Sequence, residues 1–200
     1  MSSIIHKHYK FYKPFGVLSQ FSSNNLKEDK KKQFLPKPEN IPDGLMPVGR
    51  LDEKSEGLLL FTTDGKLSDR INRSGIEKEY YAQLDGLITH NAIVQLCKGV
   101  EIGFEGKKYT TMPCVAKTIQ SPEFSEADKK LRIGSHRPSS WISITLTEGK
   151  FRQVRKMTAA VGFPTLRLIR IRVGTITLSE LSPNEFKELA FLAELFTKSK

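Results

Sequence analysis

Hydrophobic and polar residues alternate along several short runs of this chain, and such alternation is typical of β-strands with one buried face. It is clearest in SWISITLTEG at residues 140–149 and in EKEYYAQLDG at residues 77–86. The continuous apolar run LLLF at residues 58–61 is followed by the turn signal TTDG and predicts a buried strand. Further strands are predicted in residues 8–21, around residues 100–104 and 111–119, and in residues 165–178, where Gly174 divides or kinks the run.

Helix signals are fewer, and most of them are capping residues. A short helix is predicted over residues 66–74, before the break at Gly75. Thr89 is predicted to cap the helix HNAIVQLCKG, which Gly99 ends. A last helix is predicted in SPNEFKELAFLAEL at residues 182–195, because a serine cap is followed by a proline at the first helical position and a glutamate placed for a capping box.

Two polar stretches predict surface loops. Residues 22–44 are lysine-dense and carry three prolines, with a short turn of helix expected near residues 33–35, and residues 121–140 are charged and irregular. Strands outnumber helices without a regular strand–helix alternation, which indicates an α+β fold with a mixed, mostly antiparallel sheet. Residues 1–200 are enough for one domain, or for two small lobes that share a core.

The charge balance points to a polyanionic partner. Lysine and arginine number 32 against 22 aspartates and glutamates, which gives a net charge of +10. Each phosphate that a basic side chain neutralises releases counterions, so such a surplus favours nucleic acid. Many basic proteins are merely soluble, however, and charge alone favours this reading only modestly.

Membrane, secretion and metal signals are weak throughout the sequence. No apolar run approaches the ~20 residues that span a bilayer, and the N-terminus lacks the pattern of a signal peptide, so the cytoplasm is the expected location. Cys97 and Cys114 are expected to be ordinary thiols, since a reducing compartment disfavours a disulfide. The four histidines are scattered, and no metal site is assigned.

Arg50 and Asp52 flank a single leucine just before the buried run at residues 58–61. They could form a surface ion pair or belong to a site. A carboxylate near guanidinium groups stays ionised, and it can then act as a nucleophile or a base without a metal. Glu53 and Glu56 read as solvated turn residues, and neither a Ser–His pattern nor a phosphate-binding glycine loop accompanies them.

The helix predicted in KFRQVRKMTAAVG presents basic residues. Arg152, Arg155 and Lys156 are three and four residues apart, so they are expected to project together, opposite an apolar face of Phe151, Val154 and Thr158. Arginines also interrupt the next predicted strand, where Arg170 and Arg172 share one face and Arg167 lies on the other. One ridge alone would read as a solvated face, but two consecutive basic elements favour a basic cleft.

Three motifs, in order along most of the chain, resemble the signature motifs of the RsuA-type pseudouridine synthases. They are GRLDEKSEGLLLFTTDG, KEYYAQLDG and EGKFRQVRKMTAAVGFPTLRLIRIRVG. Those enzymes isomerise specific uridines in ribosomal RNA. The resemblance implies a bent sheet with flanking helices and a basic catalytic cleft, large-subunit ribosomal RNA as the partner, and no cofactor. A monomer without membrane attachment is expected.

The resemblance also implies roles for individual residues. Asp52 matches the catalytic aspartate, and Arg155 the basic residue that pairs with it. Tyr80 matches the tyrosine that packs on the flipped uracil, although spacing alone would favour core packing for a strand tyrosine. Arg50 matches an arginine that enters the RNA stack where the target base leaves. The other matched RNA-binding positions are Lys78, Arg152, Gln153, Lys156 and Arg170.

Two departures and three alternatives accompany this resemblance. Many relatives carry a small N-terminal RNA-binding domain, whereas here KFYKPFGV lies close to Met1 and no such domain is expected. Phe151 and Lys156 stand where relatives often have polar or arginine residues, so RNA contacts are expected to differ. The alternatives are a non-catalytic RNA-binding protein, an enzyme that modifies transfer RNA or the small subunit, and a glycoside hydrolase, which would need a second carboxylate.

Overall fold

The chain divides into two compact units. One comprises residues 1–76 with 171–200, and the other residues 77–170. The computed structural model describes residues 5–23, 32–37, 40–124, 126–129, 131, 133, 137–190 and 192. Whether both units belong to one catalytic domain over residues 1–200 stays a prediction.

The first unit is built on the predicted apolar strand. That strand, β3, covers Glu56–Thr62 and is buried at every position. It pairs antiparallel with β1 (His8–Lys13) and with the short β2 (Met46–Val48). Helix α1 (Gly65–Arg73) follows directly, because Asp64 caps it by accepting from the backbone N–H groups of its first turn.

Aromatic side chains fill the core of the first unit. The ring of Phe11 lies 6.2 Å from that of Phe61 and 4.2 Å from that of Phe186, centroid to centroid. Phe21 adds a fourth ring, 5.5 Å from Phe61. Such clusters contribute packing energy beyond the area they bury, so residues far apart in the chain are held together in this unit.

The second unit carries most of the remaining elements. They are β4 (Lys78–Asp85), α2 (His90–Lys98), β5 (Glu101–Phe104), β6 (Lys107–Thr110), β7 (Val115–Ile119), β8 (Ser139–Leu146), α3 (Gln153–Ala160) and β9 (Thr165–Val173). The strand order is β9-β4-β8-β7, with β5 and β6 forming a separate hairpin. The last three residues of β9 belong to the first unit, where β10 (Ile176–Thr177) pairs with them.

Both predicted caps of α2 are present. The Thr89 side chain accepts from the backbone N–H of Ala92, and the helix ends at Gly99, which has a φ of 94°. The apolar face of α2 packs into a core that includes Leu96, Ile142 and Met157. The α2 prediction is therefore confirmed, together with α1, β3, β4 and β8.

The helix predicted at residues 182–195 is wrong where the structure describes it. Residues Phe186–Leu189 form strand β11, which pairs antiparallel with β1. Half of the capping box is present, since the Ser182 N–H donates to the Glu185 carboxylate at 2.8 Å. However, Asn184 takes a left-handed φ of 70° and ends the turn, and the ring of Phe186 packs on Phe11. Residues 191 and 193–200 lie outside the description.

Two smaller predictions also differ from the structure, and strands β2 and β6 were not predicted. The turn of helix near residues 33–35 is absent from the described residues 32–37, because Gln33 bridges to Val17 instead. Phe151 lies before α3, which begins only at Gln153, and it is 67% exposed rather than on the buried face.

The fold class is confirmed as α+β. The described residues contain eleven strands and three helices. The antiparallel strand pairs are β1–β3, β1–β11, β2–β3, β4–β8, β5–β6, β7–β8 and β9–β10. Parallel pairing is seen in two isolated bridges, Val17 to Gln33 and Gly86 to Ser139. The bend of the sheet and the basic cleft stay predictions. Among the described residues, no helix is long and apolar enough to cross a membrane.

Candidate functional site

The segment between β2 and β3 places Arg50 and Asp52 around a buried leucine. Leu51 is 6% exposed, whereas Arg50 is exposed and Asp52 is half-buried. Gly49, with a φ of 69°, turns the chain out of β2 just before them. Leu51 therefore anchors the segment between its two charged neighbours.

A buried hydroxyl holds the backbone of this segment. Ser19 Oγ donates to the Leu51 carbonyl at 2.8 Å and accepts from the Leu51 N–H at 3.0 Å. The Ser55 N–H donates to the Asp52 carbonyl at 3.0 Å and closes a turn. The backbone on each side of the Asp52 side chain is thus fixed by hydrogen bonds.

A buried lysine supports the same turn. Lys13 is fully buried, and its Nζ donates to the carbonyls of Val17 at 2.6 Å, Pro14 at 2.9 Å and Glu53 at 3.3 Å. The Gly16 N–H adds a bond of 2.8 Å to the Glu53 carbonyl. The KPFG stretch therefore braces the residue that follows Asp52.

Strand β4 presents Lys78 and Tyr80 on one face, because residues two apart in a strand point the same way. Tyr80 is half-buried against the apolar core of the second unit. Tyr81 points to the other face, where its ring packs edge-on against Phe124 at 6.2 Å. Tyr80 is therefore the tyrosine of β4 that shares a face with Lys78.

Lys78 and Arg170 are close enough to influence each other. Burial, and then the positive charge of Arg170, lower the pKa of Lys78 to about 8. Arg170 is itself only 4% exposed on β9. The structure thus brings two of the basic residues expected from the sequence close together, on β4 and β9.

The basic residues of α3 diverge instead of forming one ridge. Arg155 donates from Nη1 to the carbonyl of Thr165 at 3.1 Å. Lys156 donates from Nζ to the carbonyl of Gly103 in β5 at 2.7 Å. Arg152 precedes the helix with a φ of 53°. The side chains of Arg155 and Lys156 therefore reach different elements, β9 and β5, and Arg152 starts from a backbone position outside the helix.

Gln153 has an internal role that its sequence position did not indicate. It is 4% exposed, and its amide donates to Glu148 at 2.5 Å and accepts from the Lys150 N–H at 2.8 Å. These bonds close the turn over residues 148–153. The structure thus shows that Gln153 shapes the start of α3, and its direct contact with RNA stays a prediction.

The site residues expected from the sequence fall into both units. Arg50 and Asp52 belong to the first unit. The second unit holds the others: Lys78, Tyr80, Arg152, Gln153, Arg155, Lys156 and Arg170. Sequence reasoning missed Ser19 and Lys13, since a serine or lysine in a predicted strand carries no signal that its side chain bonds to a distant backbone.

Metal and thiol chemistry have little support in the described part of the chain. There, no three His, Cys, Asp or Glu side chains group so as to hold a metal ion. Cys97 and Cys114 are free thiols. Burial raises the pKa of the Cys114 thiol to about 12, which keeps it protonated and unreactive at neutral pH.

The sequence matches a known family over most of its length. The family of RNA pseudouridylate synthases matches residues 7–160. A protein of Vibrio vulnificus called ribosomal large subunit pseudouridine synthase E is 38% identical over 182 residues, which cover 90% of this chain and 74% of that protein. The protein of the same name from Xanthomonas campestris pv. campestris is 37% identical over 178 residues, covering 88% of this chain and 91% of its own.

A solved structure is similar as well. The crystal structure of a pseudouridylate synthase superposes with a TM-score of 0.66 at 25% sequence identity. The match covers 96% of this chain and 73% of that one. The fold and the sequence motifs therefore lead to the same group of proteins.

Proposed function

The chain belongs to the RNA pseudouridylate synthase family, and from this premise we propose that it converts a specific uridine of large-subunit ribosomal RNA to pseudouridine. It is an isomerase that acts on ribosomal RNA. The observation that supports the large subunit is the similarity to the two synthases E, which extends over about nine-tenths of this chain. We also propose a monomer that works in the cytoplasm.

The reaction breaks the glycosidic bond between N1 of uracil and C1′ of the ribose. It forms a new bond between C5 of the same uracil and the same C1′ atom. Atoms are conserved, because the proton lost from C5 is balanced by one gained at N1. The target base must first leave its stack, which costs a few kcal/mol and least in a loop or bulge. The enzyme has to hold the base and the ribose while they are separated.

Asp52 is proposed to act on the ribose of the flipped uridine. Its backbone is held on either side by Ser19 and by the turn at Ser55. The Cα atom from which the carboxylate extends is therefore fixed in position. A preorganised carboxylate loses little entropy when the substrate arrives. Arg155 is proposed to pair with the Asp52 carboxylate and to orient it towards the ribose.

The remaining residues are proposed to bind RNA. Tyr80 packs on the released uracil, with Lys78 and Arg170 drawing a phosphate towards the same face of β4. Arg50, which is exposed, takes the space that the flipped base leaves. Arg152 and Lys156 contact the RNA backbone, and Gln153 maintains the turn over residues 148–153.

The test is pseudouridine mapping of ribosomal RNA from cells that lack this gene, complemented with wild type or with Asp52→Asn. We expect one large-subunit site to disappear in the deletion and to return with wild type alone. Asp52→Asn should still bind RNA, because it changes only one charge on a basic protein. A site that returns with Asp52→Asn would remove the catalytic role, and a missing site in transfer RNA or the small subunit would reassign the substrate.

A further inference from the structure

A group of rings and ammonium groups lies where the β5–β6 hairpin meets the turn before α3. Lys150 Nζ is 5.1 Å from the ring centroids of both Phe104 and Tyr109. Lys156 Nζ is 5.5 Å from the ring of Phe151 and 6.0 Å from that of Phe104. We call these five residues the aromatic–lysine surface.

Phe151 is the exposed part of this surface. Its side chain is 67% exposed, which makes it one of the few large hydrophobic side chains left open on the described part of the protein. The left-handed Arg152 separates it from α3, so the ring stands outside the helix and its core-facing side. The open face of this ring is available to stack on a partner, and the Lys156 ammonium group lies against the ring at 5.5 Å.

Hydrogen bonds keep the surface in shape. Tyr109 donates its hydroxyl to Glu148 at 2.5 Å, and Glu148 also accepts from Gln153. Lys156 is fixed to the Gly103 carbonyl at 2.7 Å. The ring of Phe151 therefore lies beside a rigid hairpin and a tied turn, so that little side-chain entropy is lost when a flat partner stacks on it.

The charges around the ring favour an anionic partner. Lys107 extends from β6 on the same face of the hairpin as Phe104 and Tyr109, because it lies opposite Phe104 and two residues from Tyr109. Lys150 and Lys156 each carry three N–H donors, which allows a phosphate contact in addition to the ring contact. A flat aromatic face beside several ammonium groups matches an unpaired nucleotide, which offers a π-face and a phosphate together.

We propose that the aromatic–lysine surface binds an unpaired segment of the substrate RNA, with one base stacked on Phe151 and the adjoining phosphates near Lys107, Lys150 and Lys156. The proposal rests on the proposed function for its choice of RNA. An acidic peptide would use the lysines but would gain little from a flat exposed ring. A duplex would hide the base faces that the ring needs.

The first experiment measures the Kd of a single-stranded oligoribonucleotide for wild type, Phe151→Leu and Phe151→Trp. Leucine keeps the apolar bulk and removes the π-face, so Phe151→Leu should weaken binding about 10-fold, within the range of one lost base stack. Phe151→Trp should bind at least as tightly as wild type. The matched control is Val115→Ala, which truncates another exposed apolar side chain of the same unit, 66% exposed and outside the surface.

The second experiment uses fluorescence of the Phe151→Trp variant. The native Trp141 is 8% exposed and supplies a constant background, so quenching on adding oligoribonucleotide reports stacking on the added indole. Quenching should follow the single strand and not a blunt duplex. Equal Kd values for Phe151→Leu and wild type, or no quenching, would overturn the proposal.

The two proposals fail in different ways. If wild type modifies no uridine but Phe151→Leu still loses binding, the proposed function is wrong and the RNA surface stands. If wild type modifies its uridine and Phe151→Leu shows unchanged Kd and KM, the surface is wrong and the function stands. When both hold, Phe151→Leu should raise KM with little change in kcat, because stacking away from the reacting atoms contributes equally to ground and transition states.

Discussion

At the scale of single residues, two buried serines near Asp52 differ in what their hydroxyl groups do. Ser19 Oγ makes bonds of 2.8 and 3.0 Å to the carbonyl and N–H of Leu51. Ser55 is 2% exposed, and its Oγ has no hydrogen-bond partner among the described residues. One hydroxyl positions the segment that carries Asp52, while the other is a buried polar atom without a visible function.

We predict that Ser19→Ala lowers kcat about 10-fold or more while the Kd for RNA stays the same. The variant leaves a buried N–H and carbonyl of Leu51 unpaired, which costs about 1–3 kcal/mol of stability. The backbone next to Asp52 then becomes more mobile, so the carboxylate is positioned less well for the reaction. Ser19→Thr should restore most of the activity, because it keeps the hydroxyl. Single-turnover kinetics on the rRNA substrate measure these effects.

Ser55→Ala is the matched control for this prediction. It removes a hydroxyl from the other end of the same segment, and both stability and kcat should stay near wild type or rise slightly. If the two alanine variants lose activity equally, the Ser19 hydrogen bonds do not position Asp52.

Lys78 links binding to stability through its pKa of about 8, which lies well below the usual 10.5 because of burial and the charge of Arg170. At neutral pH the folded protein therefore carries an unfavourable charge, at a cost of about 3 kcal/mol from 1.36 kcal/mol per pKa unit. Below pH 8 both the folded and unfolded states hold the proton, so this cost is constant. Between pH 8 and 10.5 the unfolded state binds more protons, and the contribution of Lys78 to stability improves as the pH rises.

We predict that Lys78→Met raises the unfolding temperature at pH 7 and that this gain shrinks from pH 8 to pH 10.5. RNA binding by the wild type should weaken as the pH passes 8, because Lys78 loses its positive charge. Binding by the variant should not show this loss, because it has no charge at position 78. Calorimetry and Kd measurements over pH 6.5 to 9.5 check both effects. A gain in stability that is the same at every pH would show that packing, not charge, is responsible.

At the scale of elements, the junction between α2 and β5 depends on the absence of a side chain. Gly99 has a φ of 94°, and a Cβ there would lie 2.2 Å from the Thr111 carbonyl oxygen. Thr111 in turn closes the junction, since its N–H donates to the Val100 carbonyl and its hydroxyl accepts from the Val100 N–H, both at 3.0 Å. Neither backbone segment can move without breaking these bonds.

We predict that Gly99→Ala destabilises the protein by about 3 kcal/mol or more, because left-handed strain and a backbone clash add together. Gly103→Ala, four residues along in β5, is the matched control, since a Cβ there meets nothing within 4 Å. Its effect should stay within about 0.5–1 kcal/mol. Urea denaturation of both variants gives the comparison, and similar losses would contradict the steric explanation.

At the scale of the whole molecule, we expect the surplus of ten positive charges to bind the phosphates of the RNA backbone. Each phosphate contact on a single strand contributes about 0.7 to the slope of log K against log salt. We predict that the Kd of Asp52→Asn for its rRNA fragment rises at least 10-fold between 50 and 200 mM KCl. This variant binds without turnover, so equilibrium titration suffices, and a flat response would contradict a phosphate-dominated interface.

Much of the secondary structure could be predicted because its causes are local. The apolar run of β3, the Thr89 cap and the glycine after α2 act within a few residues of one another. The candidate site was found differently, through motifs whose order matches a known family. Its supporting residues were not found, because the bonds from Ser19 to Leu51 and from Lys13 to Glu53 connect positions 32 and 40 residues apart.

The fold class, most of the strands, both caps of α2 and the family thus followed from the sequence alone. The tertiary structure decided the rest. Residues Phe186–Leu189 carry helical signals, yet they form a strand because β1 offers hydrogen bonds and Phe11 offers a ring contact. The tertiary structure also buries Gln153 and brings Lys78 close to Arg170. Local propensities are worth tenths of a kcal/mol per residue, whereas pairing and burial between distant segments contribute more and override them.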